Sequence, residues 1–115
     1  HVPDIDMEQQ IYFEALNDPI RRRILVLLLE AEERCVCEMH GVLDASQPKV
    51  SRHLGVLREA GLVLARRDGV WMHYRIHPDL PAWAYRILLH MKDGMPPLPA
   101  TQTPKTAQTC APCVN

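Results

Sequence analysis

The sequence contains no long hydrophobic run, no glycine-rich phosphate loop and no excess of either charge. Its longest apolar run, residues 24–29, has six residues, whereas a membrane-spanning helix needs about 20. No charged-then-apolar leader opens the chain, so we expect a cytoplasmic protein with no membrane partner. Neither a nucleophile triad nor paired carboxylates in a predicted cleft can be identified, and this argues against an enzyme.

The net charge of −1 argues, taken alone, against a nucleic-acid-binding protein, since such domains are often strongly basic. The charges are unevenly distributed, however. Residues 46–77 contain six Lys or Arg residues and two Asp or Glu residues, whereas the first 20 residues contain five acidic and no basic residues. The pattern predicts one cationic face on an otherwise neutral body.

Residues 46–61 are typical of a capped amphipathic helix. Ser46 can cap the first turn, Pro48 is tolerated there, and Gly61 is a natural stop. The buried stripe would consist of three residues at helical spacing, Val50, Leu54 and Leu57. The remaining faces offer donors and cations that suit a DNA major groove, from Gln47, Lys49, Ser51, Arg52 and His53. An ordinary amphipathic surface helix is the alternative interpretation.

The flanking segments predict a winged helix-turn-helix. Helices are expected at residues 6–17, 19–30 and 35–44, and the last of these leads through a three-residue turn into the helix described above. Two β-rich runs, at 62–67 and 70–77, are separated by Asp68-Gly69, a strong hairpin signal. The hairpin would form a wing whose tip carries Arg66 and Arg67 as candidate DNA contacts.

A final helix is expected at residues 82–93, and its apolar face has no obvious partner within a small winged core. Together with the first helix it predicts a dimer surface, and a dimer would provide the two-fold symmetry that paired recognition helices need. The fold class is therefore mainly α with a β-hairpin, a homodimeric winged helix-turn-helix. The expected domains are a DNA-binding and dimerisation domain at 1–93 and a Pro- and Thr-rich tail at 94–115.

The four cysteines form two close pairs, Cys35 with Cys37 and Cys110 with Cys113. In a cytosolic chain such pairs indicate metal binding or redox chemistry rather than structural disulfides. A Cys-x-Cys pair alone is more often buried packing, and a terminal Cys-x-x-Cys can also bind zinc or form a disulfide.

Four stretches carry a family resemblance: Cys35-Val36-Cys37-Glu38, Ser46-Gln47-Pro48-Lys49-Val50-Ser51-Arg52-His53-Leu54, Leu57-Arg58-Glu59-Ala60-Gly61-Leu62-Val63 and Trp71-Met72-His73-Tyr74-Arg75. Together they resemble the ArsR family of metalloregulatory repressors, especially its arsenic- and antimony-responsive branch. The resemblance implies a homodimer that binds double-stranded operator DNA and represses a metalloid resistance operon. It also implies that trivalent arsenic or antimony is the inducer, releasing the repressor by binding cysteine thiolates.

Arsenic(III) and antimony(III) are soft ions that favour three thiolates. Cys35 and Cys37 would supply two, and we expect both at the start of the third helix. Residues two apart on a helix point about 200° away from each other, so binding one ion should distort that turn.

The third ligand is open, because His40 stands where some relatives carry another cysteine. A thiolate from Cys110 or Cys113 is favoured. A rival site uses only that tail pair, and a thiol redox sensor is the alternative function.

Overall fold

The computed structural model describes residues 8–96. Five helices and three strands follow one another in the order α1 (Gln9–Ala15), α2 (Pro19–Leu29), β1 (Arg34–Cys35), α3 (Val36–Leu43), α4 (Gln47–Glu59), β2 (Val63–Asp68), β3 (Trp71–Ile76) and α5 (Ala82–Gly94). This order confirms the mainly helical winged helix-turn-helix predicted from the sequence. The boundary of the tail at residue 94 stays a prediction, since most of the tail lies outside the described residues.

Helix α2 is the centre of the core. Asp18 caps it, with its Oδ1 accepting hydrogen bonds from the backbone N–H groups of Ile20 and Arg21 at 2.8 and 3.1 Å. The five apolar side chains of residues 24–28 are all buried. Because α2 is apolar nearly all round, it contacts α3, α4, α5 and β3 at once.

The arginines that open α2 hold the end of α1. Arg21 Nε donates to the carbonyl oxygen of Ala15 at 2.8 Å, and Arg22 Nη1 donates to that of Leu16 at 2.7 Å. The last carbonyl groups of a helix have no partner within the helix. These side chains therefore satisfy the end of α1 and fix it against α2.

The helix-turn-helix has the predicted signals at both ends of α4. Asp44 turns the chain after α3 in the left-handed region, at φ 54°, and Ser46 Oγ accepts from the backbone N–H of Lys49 at 3.3 Å. Gly61, at φ 86°, ends the segment. The stripe of Val50, Leu54 and Leu57 is fully buried, so the opposite face of α4 points away from the core.

The wing differs from the prediction by one residue at its turn. Asp68 pairs with Trp71, so the two-residue turn is Gly69-Val70 rather than Asp68-Gly69. Gly69 lies at φ 63°, a conformation that glycine adopts readily and that a tight hairpin requires at its first central position.

Strand β1 adds a third strand that the sequence did not predict. Arg34 pairs with Tyr74 and Cys35 pairs with His73, both antiparallel, which gives the strand order β1-β3-β2. A strand of two residues is too short to show an alternating pattern. It exists because β3 supplies its partners.

Helices α1 and α5 lie together and leave an apolar surface. Trp83 of α5 packs edge-on to Tyr12 of α1, with ring centroids 5.0 Å apart. Large apolar side chains of both helices nevertheless remain 40 to 48% exposed, namely Ile11, Phe13, Tyr85 and Leu89. The prediction that the apolar face of α5 lacks a partner is wrong for the residues on which it rested, because Leu88 is buried and Trp83, Ile87 and Met91 pack against the core. The unpartnered apolar surface consists of the four exposed side chains instead.

Within residues 8–96, none of the helices has the length and apolar character needed to cross a membrane.

Candidate DNA-binding face and cysteine pair

The outer face of α4 carries most of the side chains that the sequence selected as DNA contacts. Lys49 and Arg52 are exposed, and Gln47 and Ser51 are partly exposed. Because the opposite stripe of the helix is fully buried, these groups can reach a ligand without any rearrangement of the core. Their role in binding DNA stays a prediction.

His53 lies instead against the start of α2. Its Nδ1 is 3.3 Å from Nη1 of Arg21, and its Nε2 is 4.0 Å from Oδ1 of Asp18. Burial lowers the pKa of His53, although the Asp18 charge acts in the opposite direction. The contact of His53 with DNA stays a prediction, and in the structure its ring already contacts Arg21 and Asp18.

The two wing arginines have different surroundings. Arg67 is exposed. Arg66 forms a two-pronged ion pair with Glu33, with Nε 2.9 Å from Oε2 and Nη2 2.7 Å from Oε1. The hydrogen bond from Arg66 holds the pKa of Glu33 below its usual value, so Glu33 is a carboxylate at neutral pH.

An open cleft of about 350 Å³ separates α4 from the wing. It is lined by Ser51, Arg52, Gly55, Arg58, Met72 and Tyr74. Arg58 was missed as a candidate contact, although its position seven residues after Ser51 places it on the same helix face. Nothing in the sequence marked Tyr74 as a candidate contact, since only the folded sheet brings it beside α4.

The cysteine pair corrects the sequence interpretation. Cys35 is not part of α3: it ends β1 and occupies the N-cap position in an extended conformation, while Cys37 lies in the first helical turn. Their Sγ atoms are 2.9 Å apart and both residues are buried. The expected 200° separation is wrong because it assumed helical backbone at both residues. Two sulfur ligands of one ion, each about 2.3 Å from it, stand roughly 3 to 4 Å apart, so the pair can bind one ion without unwinding a regular turn.

Cys35 is the N-cap residue of a capping box, a position that serine or threonine usually occupies. Its Sγ accepts from the backbone N–H of Glu38, while its own backbone N–H donates to Oε1 of Glu38 at 3.0 Å. The N-terminus of a helix stabilises negative charge. A thiolate is therefore well placed at Cys35.

The two thiols fit a soft ion but do not complete its coordination. Among residues 8–96, no group of three His, Cys, Asp or Glu side chains is arranged to hold one ion. Cys110 and Cys113, the other predicted ligands, lie outside the described residues. The described part of the chain thus contributes two adjacent thiols, which suits a thiophilic ion more than an oxygen-binding one.

Residues 18–64, from the cap of α2 to the start of the wing, match the model of a bacterial regulatory protein family, the arsR family. The chain is 53% identical over 76 residues to the arsenical resistance operon repressor of Escherichia coli. This alignment covers 66% of the chain and 65% of that relative.

Solved structures with a similar fold include the following two. One is the homodimeric winged helix-turn-helix DNA-binding domain of a possible ArsR-family regulator from Mycobacterium bovis, with 28% identity, a TM-score of 0.63 and coverage of 75% of this chain and 76% of that one. The other is the antimony-specific transcriptional repressor AntR, with 26% identity, a TM-score of 0.62 and coverage of 71% of each chain.

Proposed function

The chain belongs to the ArsR family of bacterial regulatory proteins, and from that premise we propose that it represses transcription of a metalloid resistance operon. In this proposal it leaves its operator when trivalent arsenic or antimony binds its cysteine thiolates. The observation that carries the proposal is the position of Cys35 and Cys37, two adjacent thiols at the N-terminus of the helix that precedes α4. The protein would act as a regulator in the cytoplasm and not as an enzyme.

The DNA-binding part of the proposal rests on the outer face of α4 and on the wing. Lys49 and Arg52 project from a helix that is buried on its other side, and such a helix can enter a major groove. Arg66 and Arg67 on the wing would contact the sugar-phosphate backbone, and such contacts fix the register of a protein on DNA.

A homodimer is the proposed assembly. The apolar side chains of α1 and α5 that remain exposed would be covered by the same surface of a second copy. The similar domain from Mycobacterium bovis is described as homodimeric. A two-fold arrangement would present two α4 helices to a palindromic operator.

The inducer is proposed from the chemistry of the donors. Arsenic(III) and antimony(III) bind thiolates in threes, so Cys35 and Cys37 need a third sulfur. The tail residues Cys110 and Cys113 are the remaining cysteines of the chain, and one of them, from the same or the second copy, would complete the site. The resistance function and the antimony specificity of the two similar repressors agree with such an ion.

Release from DNA follows if the ion is bound more tightly in a conformation that fits the operator poorly. Cys35 belongs to β1 and also caps α3. Replacing its capping contact by an ion therefore acts on both the helix before α4 and the sheet of the wing.

The test is an operator mobility shift titrated in parallel with arsenite, antimonite, zinc and peroxide. We expect arsenite or antimonite to release the protein, and Cys35→Ser or Cys37→Ser to abolish release while DNA binding is retained. Cys110→Ser and Cys113→Ser identify the third ligand. Loss of release only in the tail variants would assign the site to the tail pair, and no release of the unmodified protein by either metalloid would contradict the proposal.

A thiol redox sensor is the second candidate, favoured by the 2.9 Å separation of the two Sγ atoms. Peroxide would oxidise both thiols to one disulfide and would itself be reduced to two water molecules. Release by peroxide with loss of two hydrogens from the protein, and without any response to metalloid, would favour this candidate.

A further inference from the structure

Glu33 lies in the loop before β1 and reaches across the sheet to the wing. Its carboxylate accepts both prongs of the Arg66 guanidinium, at 2.9 and 2.7 Å, although the two residues are 33 positions apart. The same Oε1 atom is 3.8 Å from Nδ1 of His73. The Glu33 carboxylate, which comes from the segment before β1, therefore lies close to side chains of both β3 and β2.

The sheet register joins the same three strands in one row. Cys35 of β1 pairs with His73 of β3, and His73 pairs with Arg66 of β2. Glu33 precedes Cys35 by two residues. A displacement of Cys35 would consequently move the main chain that carries Glu33. It would also move β3, the strand that pairs with Arg66.

We propose that Glu33 is a positioning residue that holds Arg66 for DNA and transmits the state of the cysteine pair to the wing. The contact is stable enough to orient the guanidinium, yet an ion pair with Arg66 54% exposed contributes little to folding. Two of the five N–H donors of Arg66 bind Glu33, and the other donors remain for a phosphate. This inference rests on the proposed function, because it assigns the route from its ligand site to its DNA-binding surface.

The first experiment measures operator affinity in a double-mutant cycle of Glu33→Gln and Arg66→Gln. Glu33→Gln is expected to weaken binding roughly two- to fivefold, the range of an exposed ion pair, and to have no further effect once Arg66 is replaced. Glu32→Gln is the matched control, since Glu32 is exposed next to Glu33 and its replacement changes the net charge equally. If Glu33 affected DNA only through its charge, both variants would strengthen binding alike. That result, or additive effects in the cycle, would overturn the positioning role.

The second experiment follows the Arg66 Nε–H signal by NMR while the free protein is titrated with arsenite. The signal is expected to shift in the unmodified protein and to be unaffected in Cys35→Ser. In parallel, Glu33→Gln should bind arsenite normally and show a smaller arsenite-induced change in operator affinity. A normal change would overturn the coupling role. If arsenite shifted the Arg66 signal of the unmodified protein but did not release the protein from its operator, the proposed function would be wrong. The coupling between the cysteine pair and Arg66 would still be supported.

Discussion

The hydroxyl group of Tyr12 donates a 2.7 Å hydrogen bond to the main-chain carbonyl oxygen of Ala84, 72 residues further along the chain. The bond joins α1 to α5, the two helices that carry the proposed dimer surface. Burial raises the pKa of Tyr12 to about 12, so the hydroxyl stays protonated and able to donate throughout the physiological range.

Tyr12→Phe is expected to lower the free energy of unfolding by about 1 kcal/mol, because a buried hydrogen bond is lost while the ring is kept. Urea denaturation measures the change. Tyr85→Phe is the matched control on α5: Tyr85 is 41% exposed in the single chain, and because the change keeps the apolar ring that the proposed dimer surface uses, it should change stability by less than about 0.5 kcal/mol. Equal effects of the two changes would mean that the bond to Ala84 does not stabilise the fold.

Phe13→Glu is expected to convert the proposed dimer to a monomer, because a charge would be buried in an apolar interface. Phe13 is 48% exposed in the single chain, so the fold itself should tolerate the change. Sedimentation equilibrium gives the mass, and circular dichroism verifies the helices. Val70→Glu, at the exposed wing turn, should leave the mass unchanged. If the Phe13→Glu variant remained a dimer, the interface would lie on another surface.

Arg52→Ala is expected to weaken operator binding by about 1 to 3 kcal/mol and binding to random DNA by less, if its guanidinium contacts a base. Titrations on both DNAs at several salt concentrations separate the two contributions. Arg86→Ala removes the same charge from an exposed position on α5 and should have little effect. Equal losses of Arg52→Ala on both DNAs would identify a phosphate contact instead.

The sequence predicted the elements whose signals are local. Asp18 and Ser46 mark helix starts by their own side chains, and the buried residues of α4 recur at helical spacing. It failed where the structure depends on distant residues. Cys35 is extended because His73 and Tyr74 draw residues 34 and 35 into the sheet, and this contact also brings the two sulfur atoms together. The Glu33–Arg66 pair likewise required the folded sheet, since no periodicity links a loop residue to a wing residue.

Asp18→Asn is expected to reduce the dependence of stability on pH. Burial alone would raise the pKa of Asp18. The hydrogen bonds from the backbone N–H groups of Arg21 and Ile20 and the nearby charges of His53 and Arg21 outweigh this effect, so the pKa of Asp18 lies below its usual value. A carboxyl group with a lowered pKa stabilises the fold above its unfolded value of about 4, and this stabilisation is lost as the pH falls through the folded value.

The urea midpoint of the unmodified protein should therefore fall more between about pH 7 and pH 3 than that of Asp18→Asn, which keeps a capping oxygen without the charge. Asp93→Asn, at an exposed position near the end of α5, is the control for the loss of one carboxylate. A parallel decline of Asp18→Asn and the unmodified protein would contradict the assignment.

Gly55→Ala is expected to change stability and DNA binding in opposite directions. A methyl group at Gly55 would meet no atom within 4 Å, and alanine is favoured over glycine inside a helix by roughly 0.5 to 1 kcal/mol, so thermal stability should rise. Gly55 also lines the cleft between α4 and the wing. If a DNA backbone enters this cleft, the methyl group would obstruct it and weaken operator binding.

Gly41→Ala separates these two effects. Gly41 lies inside α3, and an added methyl group there also meets nothing within 4 Å. It should therefore give a similar gain in stability with unchanged DNA affinity. If Gly55→Ala bound operator as tightly as Gly41→Ala, DNA would not approach α4 at Gly55, and the DNA contacts would be confined to the first turns of the helix and the wing.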